Sequence, residues 1–92
     1  MTVRVKAFGH LREIVGSHEQ RVELSQGATL GALLVAIEDS FGDRLPASLW
    51  NRREHRFRGP VVLSVGGRIV RGRDTVLADG EEIGIHQALV GG

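Results

Sequence analysis

Hydrophobic and polar positions alternate from Thr2 to Phe8. Val3, Val5 and Ala7 face one way, and Thr2, Arg4 and Lys6 the other. A period of two marks a strand with one face in a core. Phe8 falls on the polar parity, so it is either an end-of-strand residue turned inward or an exposed apolar contact. Gly9 breaks the run. His10 to Val15 puts Leu11, Ile14 and Val15 on one side of one or two helical turns, and Gly16 stops them. Alternation returns over His18 to Leu24, with Gln20, Val22 and Leu24 against Arg21 and Glu23. This reads as an antiparallel strand pair joined by an irregular, partly helical loop.

The period then changes. After a turn at Ser25 to Ala28, Leu30, Leu33, Leu34, Ile37 and Phe41 recur at helical spacing. They predict an amphipathic helix with Thr29 as N-cap and Gly42 as its C-terminal stop. Asp43 to Gly59 has no such period. Pro46 to Trp50 suits a short helical turn, and Asn51 to Arg58 carries Arg52, Arg53, Arg56 and Arg58 against Glu54. This segment reads either as a solvated loop with Trp50 or Phe57 tucked under it, or as a docking surface for an acidic partner. Val61 to Val65 is nearly all apolar and reads as a central strand. Gly66-Gly67 turns it into a short strand, Arg68 to Val70. Thr75 to Leu77 is an apolar pair capping the core edge, and Ala78-Asp79-Gly80 is a turn. Glu81 to His86 alternates as a last strand. A hairpin, a helix crossing a mixed sheet of four to five strands, and a last strand beside the first describe an α+β, β-grasp arrangement. Residues 1–86 form that domain. Residues 87–92 have no periodicity and read as a flexible C-terminal tail.

Composition narrows the chemistry. Ninety-two residues make one small domain with a mostly aliphatic core. No cysteine is present, which removes disulfides, thiolate metal sites and a Cys nucleophile together. His10, His18, His55 and His86 lack the spacing of metal ligands. Acidic residues form no pair that a fold of this order places in a pocket, and no serine sits in a nucleophile elbow. A net charge of +1, with few aromatics near the arginines, gives no argument for nucleic acid. No apolar run is long enough for a membrane span, and Met1-Thr2-Val3-Arg4 enters directly into a strand pattern. The expectation is a cytoplasmic protein with no bound cofactor or metal and no self-contained active site.

One stretch remains, Ala88-Leu89-Val90-Gly91-Gly92. Two glycines without Cβ can thread a narrow channel, and the Gly92 α-carboxylate is ionised and unreactive until activated. The functional reading is a terminal glycine offered to an enzyme that forms an acyl-adenylate. The bland reading is a Gly-rich chain end.

The β-grasp order, Leu77-Ala78-Asp79-Gly80-Glu81-Glu82-Ile83 before the last strand, and the final Gly91-Gly92 together resemble the MoaD/ThiS family of ubiquitin-like sulfur carriers. Val3 to Gly16 is similar to that family's opening strand and short helix. Val61 to Val70 is similar to its central hairpin, with Gly66 where asparagine is usual. The resemblance implies that an ATP- and Mg-using activating enzyme of the ubiquitin-activating type adenylates Gly92. A sulfur donor then replaces AMP to give a thiocarboxylate, and a synthase partner accepts the sulfur. It also implies a partner face on the sheet, for which Phe8, Leu89, Val90 and the nearby Arg68 are the matching positions. The pathway stays open among molybdopterin, thiamine, cysteine and tRNA thiolation. Two alternatives stand beside it: a protein modifier conjugated through Gly92, and a β-grasp binding module that never uses its terminus.

Overall fold

Val3, Val5 and Ala7 are buried along β1 (Thr2–Ala7), as their alternation requires. The computed structural model describes residues 1–9, 11–16, 19–58 and 61–87. Expectations for His10, His18, Gly59, Pro60 and the tail 88–92 lie outside the described residues. β1 pairs antiparallel with β2 (Gln20–Glu23), Val3 opposite Val22. Between them lies α1 (Leu11–Val15), whose Leu11 is fully buried. Gly16 closes α1 at φ 118°, a conformation glycine adopts without strain.

α2 (Leu30–Phe41) buries Leu30, Leu33, Leu34 and Ile37 against the sheet. Each such side chain contributes roughly 1.5–3 kcal/mol relative to exposure. Thr29 is the N-cap and accepts from the Ala32 N–H, as expected. The other free N–H groups of the first turn are met from a distant segment. Leu30 donates to the Thr75 carbonyl at 2.8 Å and Gly31 to the Arg73 carbonyl at 3.0 Å. Leu77 N–H in turn reaches the Ala28 carbonyl, and its side chain is buried. Val76, expected to share that capping role, is 64% exposed, because the bridge to Thr29 turns alternate side chains outward. Gly42 is the C-cap, as expected, although not in a left-handed conformation. It stays right-handed at φ −58° and continues into a 3-10 turn, Gly42–Arg44. Its carbonyl is taken by Leu45 N–H and by Arg52 Nη2, so this end is closed without a left-handed glycine.

The segment from Asp43 onward holds an element that the sequence pattern did not reveal. β3 (Trp50–Asn51) and β4 (Arg56–Phe57) form a small antiparallel hairpin. Asn51 organises its turn, accepting from the N–H groups of Arg53 and Glu54 and donating to the Glu54 carboxylate. His55 takes the left-handed conformation at φ 53°. Both aromatics are tucked under, edge to face with centroids 4.8 Å apart, and Trp50 is 1% exposed. His55 Nδ1 also bonds the Glu38 carboxylate, tying the hairpin to α2. That bond, more than any other contact, holds the Glu38 carboxyl below its usual value. The Trp50 indole N–H, which makes no hydrogen bond of ordinary geometry, and the Arg52 charge act in the same direction.

β5 (Val61–Val65), β6 (Arg68–Val70) and β7 (Glu82–Gln87) complete a five-stranded sheet in the order β2-β1-β7-β5-β6. β7 runs parallel to β1 and antiparallel to β5. The last strand therefore does lie beside the first, and it is itself the middle of the sheet. β5, expected to be central, stands one place from the β6 edge. Its core-facing residues are nonetheless buried at Val61 and Val65. The strand signal runs one residue further than the pattern suggested, to Gln87, because Gln87 still pairs with Val61. The result is a β-grasp fold with α2 across one face.

Candidate functional site

The alternation of each strand divides the sheet into a core face and an outer face. On the outer face stand Lys6 and Phe8 from the end of β1, Gly84 and His86 of β7, Val62 and Ser64 of β5, and Ile69 of β6, as the registers dictate. Phe8 is the exposed apolar contact rather than an inward residue. It is 37% exposed, and its ring lies flat on the His86 ring, with centroids 4.6 Å apart and planes 5° from parallel. Lys6 Nζ lies 5.4 Å from the Phe8 centroid, within cation–π range. Behind the stack, Ser64 Oγ and His86 Nε2 are 2.9 Å apart.

Gly84 makes this arrangement possible. A Cβ there would lie 2.5 Å from His86 Nε2, closer still to Ser64 Oγ, and 3.2 Å from the Phe8 ring. Its glycine is therefore a matter of space and not of backbone conformation. Among the described residues no carboxylate bonds His86, so the Ser64–His86 pair lacks the orienting third group of an activated nucleophile. It acts as a tether that holds the imidazole flat beneath Phe8. Val62, half-buried opposite His86, and Ile69, 55% exposed opposite Ser64, extend the apolar area. Sequence reasoning found Phe8 and missed its neighbours. The available signal was the polar parity itself: Ser64, Gly84 and His86 all fall on it.

Arg68 is placed elsewhere. It pairs with Val65, whose side chain is buried in the core, so Arg68 occupies the opposite parity at the sheet's edge. The structure does not bring it together with Phe8. Leu89, Val90, Gly91 and Gly92 lie outside the described residues. What is described is their point of departure. β7 carries Gly84 and His86, ends at Gln87, and leads straight into residue 88.

The Asp-Gly-acid-acid stretch before β7 proves to be a lock on the amino end. Asp79 Oδ1 accepts from Thr2 N–H at 2.8 Å, and Gly80 N–H donates to the Thr2 carbonyl at 2.7 Å. Arg4 Nε donates to the Gly80 carbonyl, and the Glu81 carboxylate accepts from Ala78 N–H. Gly80 sits at φ 79°. These bonds set the register of β7 against β1, and with it the overlap of His86 on Phe8.

The sequence profile of the ThiS family matches residues 5–92. The chain belongs to the ThiS family. Members of that family are small ubiquitin-like sulfur carriers rather than enzymes in their own right. No curated protein matches the sequence. Among solved structures, this ThiS-family chain is similar to small archaeal modifier protein 1 of Haloferax volcanii. The TM-score is 0.82 at 22% identity, covering 100% of both chains, a likeness of fold. It is similar to small archaeal modifier protein 1 of Methanosarcina acetivorans at 26% identity and TM-score 0.76, covering 99% of this chain and 96% of that one. A Pyrococcus furiosus protein assigned as molybdopterin converting factor subunit 1 is similar at 25% identity and TM-score 0.72, covering 96% and 98%.

Proposed function

We propose that this chain is a sulfur carrier that works through Gly92. The observation that carries the reading is the extent of the ThiS match, which runs through Gly91 and Gly92 to residue 92. The Gly92 carboxylate attacks the α-phosphorus of ATP on an activating enzyme, and pyrophosphate leaves. Sulfide (HS⁻) released by a donor then attacks the acyl carbon, AMP leaves, and the product is a thiocarboxylate. On an accepting synthase the thiocarboxylate sulfur displaces a leaving group from an acceptor carbon. Water cleaves the resulting thioester, which leaves the sulfur on the acceptor and restores the carboxylate. ATP and Mg belong to the activating partner, so the carrier itself holds no cofactor. Phe8, stacked on His86, is the docking surface for these enzymes, and Leu89 and Val90 lead the glycines into the channel. Likeness to a molybdopterin converting factor subunit favours a synthase of that type as acceptor.

Likeness to archaeal modifier proteins supports a second reading, in which the activated Gly92 is passed to a lysine of another protein. The two share adenylation and part at the product. The intact mass of the chain isolated from its own cell separates them: replacement of one oxygen by sulfur for the carrier, a ladder of heavier conjugates for the modifier. A variant extended by one residue beyond Gly92 has no free carboxyl there and should support no ATP–pyrophosphate exchange. Exchange at the native rate by that variant would sink both readings.

A further inference from the structure

On the helix side of the sheet, away from Phe8, a half-open groove of about 440 Å³ lies between the β3–β4 hairpin and the β6 edge. Its floor is apolar. The half-buried Leu63 and Val70 lie over Leu30, Leu34 and Phe57. Its rim is cationic, with Arg56 and Arg58 on one side and Arg71 and Arg73 on the other. The sequence grouped the first two with Arg52 and Arg53. The fold separates them: Arg52 is spent on the Gly42 carbonyl, and neither Arg52 nor Arg53 lines the groove. The cluster is thus rebuilt from residues distant in the chain.

Two rim arginines are held in place by backbone. Arg58 Nε donates to the Ala47 carbonyl at 2.6 Å, and Arg73 Nη2 donates to the Glu54 carbonyl. Each guanidinium has five N–H donors and spends one, which leaves a pre-positioned fork for a carboxylate. The Arg56 and Arg71 side chains make no hydrogen bond among the described residues. The one acidic residue on the rim, Glu54, already accepts from Asn51 Nδ2.

We infer that this groove binds an acidic segment of a partner protein that carries an apolar anchor residue. Charge complementarity argues for acid: four arginines face a single, already bonded carboxylate. The apolar floor argues for an anchor, since a bare anion would leave Leu63 and Val70 uncovered. Among the described residues the only aromatic on the groove is Phe57, which is buried edge-on against Trp50, so it offers no open ring on which a base could stack. The groove and the Phe8 face lie on opposite sides of the sheet. A carrier docked by its outer face can therefore hold a second protein at the same time. This inference does not rest on chemistry at Gly92.

The test is a titration of the intact chain with a fluorescent peptide of repeated glutamates around one central leucine, read by anisotropy at low salt. Arg56→Ala combined with Arg71→Ala should weaken binding about tenfold or more. Those side chains support no described hydrogen bond, so the melting temperature should hold. Arg53→Ala should bind as the native chain does. In an amide-shift map, Val70 and Phe57 should move and Gly84 and His86 should not. Equal binding by the double variant, equal binding of a leucine-free peptide, or tighter binding of a single-stranded oligonucleotide would overturn the inference. So would self-association of the chain through this groove.

Discussion

At the scale of single residues, the informative position is Gly84. Glycine in a strand is usually a cost, since it packs nothing and loses the most backbone freedom. Here it lets three side chains from three strands converge over one spot. Gly84→Ala should therefore leave the core in place but force Ser64 and His86 apart and lift His86 from the Phe8 ring. We expect weaker docking to an activating enzyme or synthase, with a His86 ring resonance that no longer shows the shift of a stacked ring. Unaltered ring shifts and docking in the Ala variant would show that the space over Gly84 is not what holds the stack. Parity along each strand assigns Ser64, Gly84 and His86 to the outer face, but only strand register makes them neighbours. Phe8 could be singled out because a large apolar residue stood on a polar parity.

At the scale of elements, α2 was legible almost to the residue. Its five apolar positions define a stripe that any sheet would bury. Leu34→Ala should cost roughly 2–5 kcal/mol, measured by denaturant unfolding, because the cavity opens beneath the middle of the helix. A loss under about 0.5 kcal/mol would contradict its burial. The β3–β4 hairpin was not legible, for the opposite reason. Two-residue strands are too short to show a period, and what holds them is a Trp50–Phe57 contact and Asn51 in the turn. The hairpin is also where stability becomes sensitive to acid. The Glu38 carboxyl is lowered by His55, so its ionised form is favoured in the folded chain. That contribution is fully present above the ordinary carboxyl pKa of about 4.5 and is lost as pH falls through the lowered folded value. Glu38→Gln should therefore differ most from the native chain near neutral pH. The two unfolding curves should converge as the pH falls below the ordinary carboxyl value and through the lowered folded one. A constant difference across that range would assign the effect to packing instead of ionisation.

At the scale of the whole molecule, the decisive feature is that β7 is both the last strand and the middle of the sheet. β1 waits for a partner almost the full chain away, and β5 waits for the same strand. Contacts of such sequence separation make folding slow for a chain this small. During synthesis the earlier elements can form only a hairpin with its helix and an unjoined β5–β6 pair. The sheet closes when β7 arrives. Because Gly84 and His86 are on that strand and Gln87 ends it, the Phe8–His86 stack forms only when the segment that precedes the proposed reactive glycine is already in the sheet. A chain that has not finished folding has no stacked Phe8 with which to present its glycines. Under the proposed function, an enzyme that docks on the Phe8 face before it takes up the glycines would in effect be inspecting whether β7 has entered the sheet.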